Sequence, residues 1–144
     1  MAATASMSVV ARYQLGILKD LPDPPLPQFD ACKLTGSPEA YKLLETPDSI
    51  LAIASYAATM TLAAMGPSDR ASKQPLLPVA LAAKVGFDAV LSAGYAIAGW
   101  REQRALCFWC LVATAATAVS FVLVFPEARS AIQRLKQSEP SGQS

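Results

Sequence analysis

Histidine is absent from this chain, which removes the usual general acid–base near neutral pH and the commonest nitrogen ligand for metals. Cysteine is scarce, with three among 144 residues. Tetrahedral zinc needs four ligands, so no closed zinc site fits within one subunit, and only a site shared between subunits would remain. Charge is scarce as well: Asp, Glu, Lys and Arg make up 16% of the chain, and the net charge is +1. With no basic field and no Lys/Arg run, nucleic acid is not an expected partner. Hydrophobic residues reach 53%, too many for a water-soluble domain of this size. No internal repeat is present.

The apolar residues are gathered into three stretches, at 49–65, 76–100 and 105–125. A hydrocarbon core of about 30 Å takes roughly 20 residues at 1.5 Å rise, so the second and third are long enough to span and the first is short. All three are rich in Ala and Leu without period-2 alternation, which argues for helices over strands. Thr46-Pro47 reads as an N-cap with proline at the first helical position, and Gly66-Pro67 as a stop. Pro75 and Pro78 open the second stretch. Pro126 is expected to end the third and to start a short surface helix over residues 127–136. The predicted fold is an all-α transmembrane bundle of three spans with an N-terminal outer-face segment. It divides into residues 1–45 as that segment and loop, 46–137 as the transmembrane helical domain, and 138–144 as a disordered tail.

Residues 9–21 form an amphipathic stretch, too short and too charged to span. They also lack the basic start and cleavage site of a secretory signal. A proline-rich connector, Leu21-Pro22-Asp23-Pro24-Pro25-Leu26-Pro27, follows. Beyond it come Cys32, a Thr35-Gly36-Ser37-Pro38 turn, and a helix of one or two turns over residues 39–44. Cys32 is expected to be mobile.

The most informative motif is Cys107-Phe108-Trp109-Cys110, at the start of the last apolar stretch. Two cysteines one helical turn apart share a face and can alternate between dithiol and disulfide. The helix N-terminus supplies partial positive charge that stabilises a thiolate. A plainer reading treats both as small buried hydrophobes. Cys107, nearer the aqueous edge, is expected to be the more easily alkylated.

Charge placement sets an orientation. Arg70, Lys73, Arg129, Arg134 and Lys136 flank one side of the spans and outnumber Lys42, Arg101 and Arg104 on the other, so the first group is expected in the cytoplasm. Cys32, Cys107 and Cys110 then lie together on the outer side, where disulfide chemistry is favoured. Lys84 and Asp88, at i and i+4 inside the second stretch, are expected to pair with each other, although a proton route is an alternative. Ser55, Thr59 and Thr114 offer hydroxyls to a bound head group or to ordinary helix packing.

In order and spacing, Thr35-Gly36-Ser37-Pro38-Glu39-Ala40-Tyr41, then Thr46-Pro47-Asp48-Ser49-Ile50-Leu51, then Leu106-Cys107-Phe108-Trp109-Cys110 resembles the vitamin K epoxide reductase family. The likeness runs from about Phe29 to Phe125 and is of the bacterial type, shortened and without an apolar first span. The resemblance implies a helical-bundle membrane oxidoreductase whose CxxC reacts with a quinone, menaquinone, ubiquinone or a relative, as electron acceptor. It implies that Cys107 exchanges disulfides with the loop, that Cys110 faces the quinone, and that Asp48 contacts the quinone head group, where Thr114, Ser55 and Thr59 would add polar contacts. No metal is implied. A thiol-bearing protein or small dithiol would be the electron donor, in a bacterial inner membrane with the CxxC on the outer side.

The chain departs from the family pattern in keeping only Cys32 of the usual loop pair. Either Cys32 attacks the Cys107–Cys110 disulfide, or an external dithiol does, or turnover is lost. A fourth helix would come from a second subunit in a homodimer, or from the N-terminal stretch lying on the bundle. The sequence thus leaves two readings: a thiol–quinone oxidoreductase, or a non-catalytic membrane interaction protein that keeps the fold without the full relay.

Overall fold

A computed structural model describes residues 1–41 and 45–138. Among these, every regular element is helical: α1 (Ala2–Gln14), α2 (Ala31–Thr35), a 3-10 turn (Pro38–Tyr41), α3 (Asp48–Ala64), α4 (Arg70–Lys73), α5 (Leu76–Gln103) and α6 (Phe108–Ser138). The all-α class is as expected. Two helices, Leu76–Gln103 and Phe108–Gln137, are long and apolar enough to cross a membrane, and the apolar Asp48–Ala64 is shorter. Part of the helix expected over residues 39–44 is the 3-10 turn, and residues 42–44 lie outside the described ones. Of the tail expected to be disordered, Ser138 closes α6 and residues 139–144 lie outside the described ones.

The helix ends follow their punctuation, with small shifts. Pro47, not Thr46, is the N-cap of α3, and Asp48 stands in the first turn, where its charge suits the helix dipole. The helix stops at Met65, and Gly66 turns the chain with φ +86°, a conformation that favours glycine. Pro78 is tolerated in the first turn of α5 because the first N–H groups of a helix lack intrahelical partners.

Pro126 does not end a helix. It lies inside α6, and the separate surface helix expected over residues 127–136 is a continuation of the same rod. Proline at a helix interior costs about 3 kcal/mol. The helix nevertheless continues, with Ala128 and Ala131 buried beyond it where α6 packs against α4 and α5.

The N-terminal helix also differs from its expected position. It runs over Ala2–Gln14 and buries Ala3, Ser6, Met7, Val10 and Ala11, a stripe at 3.6-residue spacing. That stripe seats α1 against α3 and α6. At the same end of the bundle, α2 docks on α5: a Cβ on Gly99 would come within 2.7 Å of a Leu34 methyl, so a larger residue there would make that side chain shift. The buried cluster formed here contains Met7, Val10, Leu21, Ala31, Cys107 and Ala113.

Candidate redox site

The cysteine end is built by pinning the loop 15–30 across the mouth of α6. Leu106 donates its N–H to the Gln28 carbonyl at 2.9 Å, and Asp30 donates to the Leu106 carbonyl at 3.1 Å, framing a short parallel bridge between Phe29 and Leu106. Phe29 and Phe108 meet edge to face at 6.1 Å. The Trp109 indole N–H donates to the Pro22 carbonyl at 3.1 Å, so the proline-rich connector lies over the CxxC.

Cys107 sits just ahead of α6, whose first residue is Phe108, while Cys110 is in the first turn. The backbone N–H of Cys110 donates to Cys107 Sγ at 3.1 Å, so the thiol caps the helix as a Ser or Asp side chain would. This geometry directs backbone positive charge at that sulfur. Cys107 is 1% exposed, whereas Cys110 and Cys32 are half-buried. The expectation that Cys107 is the more accessible cysteine is therefore reversed: the pinned loop and α1 cover it.

Cys32 is not on a free arm. It lies in α2, which Asp30 caps through Lys33 N–H at 2.8 Å, and Asp23 accepts from Ala31 N–H at 2.6 Å. The Cys32 sulfur accepts from Leu21 N–H at 3.2 Å, and its carbonyl accepts from the Tyr13 hydroxyl at 3.4 Å. Burial pushes the Tyr13 hydroxyl up, and Cys32 adds to this, so Tyr13 remains a donor. All three cysteines border one apolar cluster and are free thiols.

Asp48, one residue ahead of the apolar stretch 49–65, is held by a residue that sequence reasoning did not single out. Gln14, at the end of α1, donates to Asp48 Oδ1 at 2.8 Å and to the Thr35 carbonyl at 3.0 Å, and accepts from the Ser49 hydroxyl. One amide thereby joins α1, α2 and α3. Nothing in the sequence marks Gln14, because a glutamine at a helix end carries no signature. Burial pushes the Asp48 carboxyl up, and the Gln14 hydrogen bond offsets only part of that.

The remaining hydroxyls are distributed differently. Thr114 donates to the Cys110 carbonyl at 2.8 Å, one turn below the motif. Ser55 and Thr59 join Lys84 and Asp88: Lys84 Nζ donates to Asp88 Oδ2 at 2.5 Å and to Ser55 Oγ at 2.6 Å, and Ser55 donates to Asp88 Oδ1 at 3.0 Å. Thr59 Oγ lies 3.4 Å from Asp88 Oδ2. Lys84 and Asp88 do pair, as their spacing indicated. Among the described residues, no group of three or more His, Cys, Asp or Glu is arranged to hold a metal ion.

The model of the vitamin K epoxide reductase family matches residues 1–125. The chain belongs to that family. The match takes in α1 and the loop before Phe29, where the sequence motifs were silent. No curated protein and no solved structure matches the chain. Vitamin K epoxide reductase family members are membrane thiol–disulfide oxidoreductases that generally use a quinone. In this member, the two apolar helices and the family together indicate an integral membrane protein.

Proposed function

We propose that this protein is a membrane thiol–disulfide oxidoreductase that couples Cys107 and Cys110 to a lipid-soluble quinone. The observation that carries this reading is the Cys107 sulfur capping α6, with Cys110 one turn deeper and Cys32 on the same apolar cluster. In the balanced reaction, the two thiols lose two electrons and two protons, an S–S bond forms, and the quinone becomes hydroquinone. A thiol donor then reduces the disulfide and is itself oxidised.

Ala52, Ile53, Tyr56, Ala113 and Ala116 line the cluster beside Cys110. A mostly apolar wall with a few polar groups at one end suits a quinone head group. In the absence of histidine, Asp48 serves as the proton donor, and Thr114 is the next hydroxyl within one turn of Cys110. Ser55 and Thr59 are already engaged by Lys84 and Asp88, and they contact quinone only by leaving those partners. In this reading, α3, α5 and α6 span the bilayer, α1 fills the fourth position of the bundle without a second subunit, and the cysteines face outward across a bacterial inner membrane. A single loop cysteine favours a second reading, a fold retained for interaction without turnover.

Thiol trapping separates the two. In the first reading, a ubiquinone or menaquinone analogue removes two alkylatable thiols from the purified chain, and Cys110→Ala abolishes that loss. Cys110→Ala also accumulates a Cys32–Cys107 mixed disulfide, seen as a reducible gel shift that is absent when Cys32→Ala is added. Thiol counts that do not respond to the quinone would leave only the interaction reading.

A further inference from the structure

At the end of the bundle away from the cysteines, α5 and α6 border a groove of about 490 Å³. Val79, Ala82, Phe121 and Phe125 give it an apolar floor, and Arg129 and Lys136 stand at one end. The Phe121 ring closes the opposite end by packing over Gly86, where a Cβ would lie 3.0 Å away. Among the described residues, neither Arg129 nor Lys136 has an ion-pair partner.

The lengths place this groove in the bilayer. Along α6, Arg129 is about 30 Å and Lys136 about 40 Å from Phe108, at 1.5 Å rise per residue. A hydrocarbon core is about 30 Å thick, and about 40–45 Å with the head groups. With Phe108 at one boundary, Phe121 and Phe125 lie at acyl-chain depth and the two cations at head-group depth on the other side. An apolar channel that ends in two unpaired cations at the phosphate layer is complementary to one class of molecule.

We propose that this groove binds an anionic phospholipid, with one acyl chain along Val79, Ala82, Phe121 and Phe125 and its phosphate on Arg129 and Lys136. The proposal rests on membrane embedding alone and is independent of quinone coupling. A lipid without phosphate would leave both cations unpaired, a zwitterionic head group would bring a cation of its own against them, and a soluble anion would leave the apolar floor unfilled. Arg129 and Lys136 are one face of α6 at i and i+7, so both reach the same head group.

The test uses the full chain in phosphatidylcholine nanodiscs with trace spin-labelled phosphatidylglycerol or spin-labelled phosphatidylcholine. The immobilised fraction is expected to favour phosphatidylglycerol, and each of Arg129→Gln and Lys136→Gln should lower that preference about fivefold. Arg101→Gln, at the cysteine end, should leave it unchanged. Ala83→Trp, an exposed position lining the groove, fills the channel at constant charge and should also lower the preference. Retained helicity by circular dichroism confirms that each variant is folded. Equal immobilisation of the two lipids overturns the proposal. So does a preference that survives Ala83→Trp, since a general basic field would then suffice. Displacement of the lipid by a quinone analogue, or loss of the site on dimerisation, overturns it as well by naming another occupant.

Discussion

A buried and a half-buried carboxylate stand at different levels of this bundle, and their partners differ in kind. Asp88, in the middle of α5, is met by the Lys84 ammonium and by the hydroxyl of Ser55. Asp48, at the cysteine end of α3, is met by the neutral amide of Gln14. An ammonium and a carboxylate in direct contact, braced by a hydroxyl from the next helix, fix the two helices against each other. A neutral donor leaves the proton free to come and go. The middle cluster is thus a fastener between α3 and α5, while the cysteine-end cluster keeps a carboxyl that can serve chemistry.

Removing the cation should break this contrast most severely. Lys84→Ala leaves Asp88, 7% exposed, without its counter-charge. Breaking a buried pair costs about 3–5 kcal/mol, and the lower end applies here because Lys84 keeps 26% of its side chain exposed. Denaturant unfolding in micelles should register the loss, and Lys84→Met with Asp88→Leu together should recover most of it. Equal destabilisation by the single and the double change would mean that the pair is not the fastener.

Asp48→Asn sharpens the other half. Proton delivery by a positioned acid contributes about 10²–10⁴-fold, so quinone reduction should fall about 100-fold while disulfide exchange with an external dithiol persists. Burial raises the carboxyl of Asp48, so the folded chain holds this proton more tightly than the unfolded one. Stability from that proton is therefore full below the unfolded pKa and is lost as pH rises through the raised native value. The rate of quinone reduction should decline over the same rise. Both trends should flatten in Asp48→Asn. A wild-type rate that stays constant across that range would show that the proton comes from water.

The sequence makes some of this legible and hides the rest for identifiable reasons. The i, i+4 spacing of Lys84 and Asp88 exposes their pairing, because charges inside an apolar stretch have few ways to be satisfied. The CxxC is equally plain. The stripe that seats α1 consists largely of Ala and Ser, too weakly apolar to stand out, so the sequence shows only an amphipathic stretch at 9–21 where the helix is Ala2–Gln14. Pro126 reads as a stop, yet α6 runs on through it, with Ala128 and Ala131 buried beyond. The accessibility of Cys107 depends on α1 and the loop 15–30, far from it in the chain, and no local pattern encodes it.

The smallest effect concerns the lid that those distant residues form. The loop lies over the cysteine motif through neutral contacts: the two backbone bonds of Leu106 with Gln28 and Asp30, and the side-chain bond from Trp109 to the Pro22 carbonyl. A single neutral hydrogen bond contributes about 0.5–1.5 kcal/mol net, so Trp109→Phe, which keeps the ring and removes the donor, should favour opening by about two- to tenfold. In the fully reduced wild-type chain, alkylation should label Cys32 and Cys110 ahead of Cys107, in keeping with its 1% exposure. In Trp109→Phe, labelling of Cys107 should accelerate by that factor while Cys32, held by α2 and Leu21, keeps its rate. Acceleration at all three cysteines would mean that the whole cysteine end had loosened, and that its neutral contacts act together instead of one by one.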